Sequence, residues 1–125
     1  NPPYFTDSLK CPDNQRRIAR HTDRLPLDEL LQTASRWLQP TGRLGLVWPA
    51  DGRERLERAA HEAGLHFIRL TQVHPLAGAP AKRLLAELGT QRPAATAFGS
   101  LTIEREGHRY TDEFTALVKD FYLYV

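Results

Sequence analysis

The sequence is poor in the residues that build disulfides and metal sites. It has one cysteine among 125 residues, so no internal disulfide can form, and a single thiol fits a reducing compartment such as the cytoplasm. The histidines lack the spacing to cysteine or carboxylate residues that zinc requires, so we expect no metal site; they are His21, His61, His66, His74 and His108. A disulfide scaffold and a zinc protein are both disfavoured.

Long apolar runs are also missing. No stretch approaches the roughly 20 apolar residues of a membrane-spanning helix, and the polar, proline-rich start does not resemble a signal peptide. We therefore expect a soluble protein with no membrane partner. With 41% hydrophobic and 26% charged residues, the composition is globular, and 125 residues make one domain at most. The net charge of +2 is compatible with a polyanionic partner but too small to indicate one.

Hydrophobic periodicity predicts helices that alternate with strands. A first helix should begin with Pro26 at its first position and end before Pro40. The apolar run from Leu44 to Trp48 predicts a strand that is covered on both faces, and we expect Trp37 and Trp48 in the core.

The same reasoning extends to the second half of the chain. Asp51 and Glu54 resemble a capping box and predict a helix that ends at Gly64. Residues 67–73 and the alternation around Leu101 predict two further strands, and Thr111 should cap a last helix. Helices and strands in immediate succession are typical of parallel crossovers, which places the opening residues at the carboxyl end of a strand, where ligands bind.

The opening residues Asn1-Pro2-Pro3-Tyr4 are suited to holding an amino group. Asn1 offers its side-chain oxygen and Pro2 its backbone oxygen, so two acceptors can draw the lone pair of a conjugated amine back onto nitrogen. Tyr4 offers a flat face to a planar substrate. The alternative is a Pro-Pro turn followed by a core tyrosine.

These four residues resemble the Asn-Pro-Pro-Tyr motif of S-adenosylmethionine-dependent amino methyltransferases. Further resemblance comes from the segments 16–21, 82–85 and 110–123. Together they are similar to the bacterial adenine-N6 methyltransferases that modify the adenine beside the anticodon of a valine tRNA. The resemblance implies that Asn1, which also contacts the cofactor, and Pro2 hold the N6 amino group while Tyr4 stacks on the base.

The resemblance also implies how tRNA is bound. Arg16, Arg17 and Arg20 would contact the RNA backbone, and Lys82 with Arg83 would extend this basic surface on the opposite rim. The alternative is that these side chains belong to an ordinary solvated loop and to the solvated face of an edge element.

The implied fold is α/β: the C-terminal half of a Rossmann-like methyltransferase sheet, with helices on both faces and an antiparallel edge strand. That strand should lie within residues 80–89, although their periodicity alone favours a short helix. The chain has no methionine and no G-x-G-x-G-like loop, so we expect residues 1–125 to lack the cofactor-binding half and to be inactive when isolated.

Two other functions remain open on the sequence alone. A protein-glutamine N5 methyltransferase that acts on release factors would hold an amide nitrogen with the same motif. A non-catalytic RNA-binding fragment would keep the basic residues without the chemistry.

Overall fold

The computed structural model describes residues 26–123, in which helices and strands alternate in a mixed α/β arrangement. The elements are α1 (Leu27–Trp37), β1 (Leu44–Pro49), a 3-10 turn (Ala50–Gly52), α2 (Arg53–Glu62), β2 (His66–Leu76), β3 (Arg83–Gly89), β4 (Ala97–Arg105), β5 (Arg109–Tyr110) and α3 (Asp112–Val118).

The described strands form one sheet in the order β1-β3-β2-β4-β5. β3 is antiparallel to both of its neighbours, so β1 and β2 point in the same direction. β4 is parallel to β2, and β5 returns antiparallel to β4 at the sheet edge. The strands β1, β2 and β4 therefore share one orientation, as the predicted crossovers require.

The antiparallel strand predicted within residues 80–89 is confirmed, but it lies between β1 and β2 instead of at the sheet edge. Leu84, Ala86 and Leu88 are buried on one side, with a period of two. The helical spacing in the sequence misleads because Leu85, on the other side, is also apolar. Ladders with two neighbouring strands satisfy the backbone of β3, and this tertiary pairing overrides local periodicity.

The core lies between the sheet and the pair α1 and α2. Leu31 of α1 and Leu56 of α2 are fully buried, and they belong to one apolar cluster with Leu46, Leu70 and other strand residues. The register places these strand residues on one face of the sheet. The helical spacing of the apolar residues predicted both helices correctly.

The prediction that β1 is covered on both faces is wrong for the part of the chain that the structure describes. Leu46 and Trp48 are buried, whereas Gly45 is exposed, and no described atom lies within 4 Å of the place where its Cβ would be. The burial of β1 thus alternates, because within residues 26–123 the core cluster lies on one side of the sheet. An apolar run does not reveal which of its residues face a helix layer.

Trp48 is buried as predicted, but Trp37 is 81% exposed, so its core assignment is wrong. Trp37 follows the fully buried Leu31 by six positions, which at about 100° per residue points it roughly 120° away from the buried side of α1. The size of the Trp37 side chain, and not its position on α1, suggested that it would be buried.

Two predicted helix starts also need correction. Pro26 precedes the first helical residue, as the N-cap. The capping box at Asp51 and Glu54 does not form, since α2 has Gly52 as its N-cap and no side-chain capping bond. Asp51 instead lies in the 3-10 turn. Thr111 caps α3 as predicted, because its hydroxyl oxygen accepts a hydrogen bond from the Phe114 N–H at 3.2 Å.

Candidate functional site

The candidate site is the sheet edge at which β1, β2 and β4 end, called here the carboxyl edge. It comprises the turn after Pro49, the loop after Leu76 and the hairpin after Arg105. Three strands of one orientation end at this edge, which is where α/β sheets bind ligands.

The turn that follows β1 is fixed by Trp48. Its indole N–H donates to the carbonyl oxygen of Gly52 at 2.9 Å, and the Arg55 guanidinium lies 5.9 Å from the ring centre, within the range of a cation–π contact. A Cβ on Gly52 would lie 2.6 Å from the indole nitrogen, so only glycine fits without movement. This part of the carboxyl edge therefore has a fixed backbone.

The backbone of Lys82 ties β1 to β2 at the same edge. Lys82 accepts a hydrogen bond from the Ala50 N–H at 3.1 Å and donates one to the Val73 carbonyl at 2.8 Å. Arg83 follows in register with Pro49 and Val73. Lys82 and Arg83, both predicted from the sequence to bind RNA, are exposed at the carboxyl edge.

A tight loop connects β2 to Lys82. His74 Nδ1 lies 2.8 Å from the Ala79 carbonyl oxygen, and since a carbonyl can only accept, this ring nitrogen is the donor. Gly78 has a φ of 81°, a value that glycine adopts without strain. The loop is short and internally bonded, so it holds Lys82 in place.

The β4–β5 hairpin brings two arginines to the carboxyl edge that the sequence analysis missed. Arg105 and Arg109 are directly opposite each other in the antiparallel ladder, and both are exposed. Their equal spacing from Gly107, a residue type that favours turns, is the sequence signal that could have revealed them.

A cleft of about 450 Å³ lies beside the turn after β1, between α1 and α2. Its charged lining is mainly acidic: Asp28, Asp51, Glu54 and Glu62, with Arg55 and Arg58. A phosphate group would meet more carboxylates than guanidinium groups there. The exposed cations of the carboxyl edge are better placed for a polyanion.

The other predicted site residues, Asn1, Pro2, Tyr4, Arg16, Arg17 and Arg20, lie outside the described residues. Within residues 26–123, no three His, Cys, Asp or Glu side chains are grouped so that they could hold a metal ion. No helix in this part of the chain has the length and apolar character needed to span a membrane.

The comparisons with curated proteins give one consistent result. Over 123 residues, or 98% of the chain, the sequence is 50% identical to a protein of Parabacteroides distasonis and 46% identical to one of Phocaeicola vulgatus. Both are named tRNA1(Val) (adenine(37)-N6)-methyltransferase, as is a protein of Trichodesmium erythraeum with 38% identity. No family model matches the sequence.

Over nearly its whole length the chain is similar to proteins named as tRNA adenine-N6 methyltransferases. The resemblance inferred from the opening motif and the later segments is thereby confirmed. The chain spans about half the length of these relatives, 52% of the proteins from P. distasonis and P. vulgatus.

A solved structure supports the fold independently. The predicted O-methyltransferase from Agrobacterium tumefaciens superposes with a TM-score of 0.59, covering 74% of this chain and 45% of that protein, at 24% sequence identity. This likeness concerns the fold alone. It confirms the predicted α/β class and the Rossmann-like half-sheet.

Proposed function

We propose that this chain is the acceptor-binding half of an S-adenosylmethionine-dependent methyltransferase that modifies N6 of the adenine beside the anticodon of a valine tRNA. The observation that carries this proposal is the identity of up to 50% over 98% of the chain with proteins named for that reaction. We place the protein in the cytoplasm, because its substrate would be tRNA.

The geometry of the described residues supports a ligand site at the carboxyl edge. Lys82 and Arg83 are exposed there, and the backbone between them and Trp48 is fixed by hydrogen bonds. A rigid backbone beside exposed cations suits the positioning of a large polyanion. No residue of this edge has to act as a strong base, since the reaction needs positioning and electrostatics.

S-adenosylmethionine, when bound, supplies an electrophilic methyl group. In this proposal the Asn1 side-chain oxygen and the Pro2 backbone oxygen accept hydrogen bonds from the two N–H groups of the N6 amine, and Tyr4 stacks on the adenine. Arg16, Arg17, Arg20, Lys82 and Arg83 contact the tRNA backbone. An adenine in a loop costs less to unstack than one in a duplex, which suits an anticodon-loop substrate.

The residues that hold the cofactor belong, in this proposal, to a half that precedes Asn1. Within residues 26–123 no strand is followed by a G-x-G-x-G-like loop. The turn after β1 is Ala50–Gly52, and the loop after β2 has Gly78 as its single glycine. Apart from Asn1, no residue of this chain is assigned to the cofactor.

The test is methyl transfer by the complete protein from labelled S-adenosylmethionine to an unmodified valine tRNA transcript. Label should enter this transcript and not a control transcript whose anticodon-adjacent adenine is replaced by guanine. Label in a release factor but not in tRNA would establish the glutamine methyltransferase instead. Binding of tRNA without methyl transfer would establish a non-catalytic RNA-binding protein instead.

The same assay tests the role of Asn1. Asn1→Ala should lower kcat by about 100- to 1,000-fold, as expected for removal of a group that polarises the reacting atom. Cofactor affinity, measured by calorimetry, should change much less. Asn14→Ala removes the same carboxamide outside the motif and should leave both quantities unchanged. Equal losses of turnover and cofactor affinity in Asn1→Ala would contradict the assignment.

A further inference from the structure

The β4–β5 hairpin holds two like charges face to face. Arg105 and Arg109 are directly opposite in the ladder, and side chains in such a pair lie about 5 Å apart at their Cβ atoms. Like charges in this arrangement destabilise a hairpin. Both side chains are exposed, so the fold alone does not require arginine at either position.

The turn of the same hairpin carries a second local cost. The chain reverses through Gly107, with a φ of 80°, and His108, with a φ of 56°. The left-handed region suits glycine but is uncommon for other residues. The Nδ1 of His108 lies 3.2 Å from Glu104 Oε2. Two local conflicts in one exposed hairpin suggest that it is kept for function.

The acidic residues nearby do not neutralise the two arginines. Glu104 lies on the other side of the hairpin, in register with Tyr110, and contacts His108. Glu113 accepts a hydrogen bond from the Thr102 N–H at 3.2 Å. Glu106 and Asp112 are exposed in the turn and at the start of α3. No carboxylate within residues 26–123 forms an ion pair with Arg105 or Arg109.

The hairpin extends the basic part of the carboxyl edge. In the register, Val73 is opposite both Arg83 and Leu101, and Arg105 follows Leu101 by four residues. Alternation therefore puts Arg83, Arg105 and Arg109 on the same face of the sheet. Arg105 lies two strand spacings, about 10 Å, across from Arg83 and about 13 Å further along.

We infer that Arg105 and Arg109 form a phosphate-binding pair that holds the tRNA backbone, so that RNA contacts the carboxyl edge from Arg83 to the hairpin. This inference rests on the proposed function. Guanidinium groups bind phosphate oxygens in a bidentate manner, and two adjacent arginines gain most when an anion enters between them. An RNA backbone provides such anions at regular intervals, which favours it over an acidic protein.

The test compares the double variant Arg105→Gln/Arg109→Gln with Arg92→Gln in the complete protein. Arg92 is also exposed, but it follows β3 at the opposite end of the sheet, where Gly89 pairs with the first residue of β2. With a valine tRNA transcript, the double variant should raise KM on the order of tenfold and leave kcat within twofold. For tRNA binding by the double variant, the slope of log binding constant against log salt concentration should decrease in magnitude by about 1.4 to 1.8, as expected for the loss of two phosphate contacts.

The single variant Arg109→Glu separates binding from stability. It replaces the opposed arginines by an Arg–Glu pair, so the protein should melt at the same or a higher temperature while tRNA binding weakens. If Arg109→Glu weakened tRNA binding through misfolding, both the melting temperature and the affinity for tRNA would fall.

The inference is overturned if the double variant matches Arg92→Gln in KM and salt slope; an acidic protein would then be the better candidate for this surface. Failure of the proposed function is distinguishable, because the wild-type protein would then not methylate tRNA. If the wild-type protein does not methylate tRNA, filter binding of tRNA still tests the proposed role of Arg105 and Arg109. An unchanged salt slope in the double variant would reject that role.

Discussion

At the scale of single residues, Gly52 is a tightly constrained position of the carboxyl edge. Its carbonyl accepts the Trp48 indole N–H, and the missing Cβ leaves space for that ring. Trp48 is only 3% exposed, so the indole cannot turn away without losing burial or its hydrogen bond. The turn that leads from β1 into α2 therefore depends on two residues four positions apart.

Gly52→Ala should lower the free energy of unfolding by about 1 to 3 kcal/mol, the usual cost of overpacking a filled site. Gly45→Ala is the control, since no atom of the described residues lies within 4 Å of its added Cβ and alanine is favoured over glycine in a strand by about 0.5 kcal/mol. Urea unfolding of the complete protein measures both. A Gly52→Ala protein as stable as the wild type would show that the indole moves freely.

Residue roles were less predictable from the sequence than residue burial. The burial of Leu31 and Leu56 follows from helical spacing, and the burial of Trp48 follows from its place in a strand. The pairing of Arg105 with Arg109 did not follow from the sequence, because a cross-strand pair depends on the register of a hairpin, which the sequence only suggests through Gly107. The motif at Asn1, Pro2 and Tyr4 lies outside the described residues, so its geometry stays a prediction.

At the scale of elements, α3 protects an open strand edge. Thr111 donates its hydroxyl hydrogen to the Thr102 carbonyl at 2.5 Å and accepts the Phe114 N–H, while Glu113 accepts the Thr102 N–H. The Thr111 N–H also bonds to the Ile103 carbonyl at 2.9 Å. These bonds satisfy backbone groups of β4 that β5, only two residues long, does not reach.

Thr111→Ala should remove both hydroxyl bonds and destabilise this edge by about 1 to 2 kcal/mol. Hydrogen exchange of the Phe114 amide should then be about 5 to 30 times faster, because its acceptor is lost. Thr111→Ser retains the hydroxyl group and should exchange within about twofold of the wild type. Equal acceleration in both variants would mean that the methyl group, and not the hydroxyl, holds α3.

The helices and strands were largely predictable from the sequence, whereas the order of the strands in the sheet was not. Alternating periodicities gave α1, α2 and the strands around them, since each element shows its buried side in its own sequence. The resemblance to methyltransferases predicted β3 as an antiparallel strand but placed it at the sheet edge. Its insertion between β1 and β2 was not predicted, because strand order is a property of pairing partners far apart in the chain. The capping box at Asp51 did not form either: Asp51 lies in a 3-10 turn whose last residue accepts a hydrogen bond from the Trp48 indole, a contact that the local pattern does not reveal.

At the scale of the whole molecule, the described sheet ends on one side with β1, whose outer edge pairs with no strand within residues 26–123. The chain also spans only about half the length of its curated relatives. Both observations fit the proposal that a second half completes the sheet and holds the cofactor. An unpaired strand edge is itself a template for association with other chains.

Residues 1–125, produced alone, should therefore transfer no methyl group to tRNA, even at saturating S-adenosylmethionine, because in the proposed division this half supplies the acceptor-binding residues and, apart from Asn1, none that hold the cofactor. They should still bind tRNA in a salt-dependent way if the carboxyl edge is folded, and they should self-associate through β1 as concentration rises. Methyl-transfer assays, filter binding and sedimentation velocity measure these properties, with the complete protein as the control. Methyl transfer by residues 1–125 alone would show that the cofactor site lies within this chain and would reject the division into two halves.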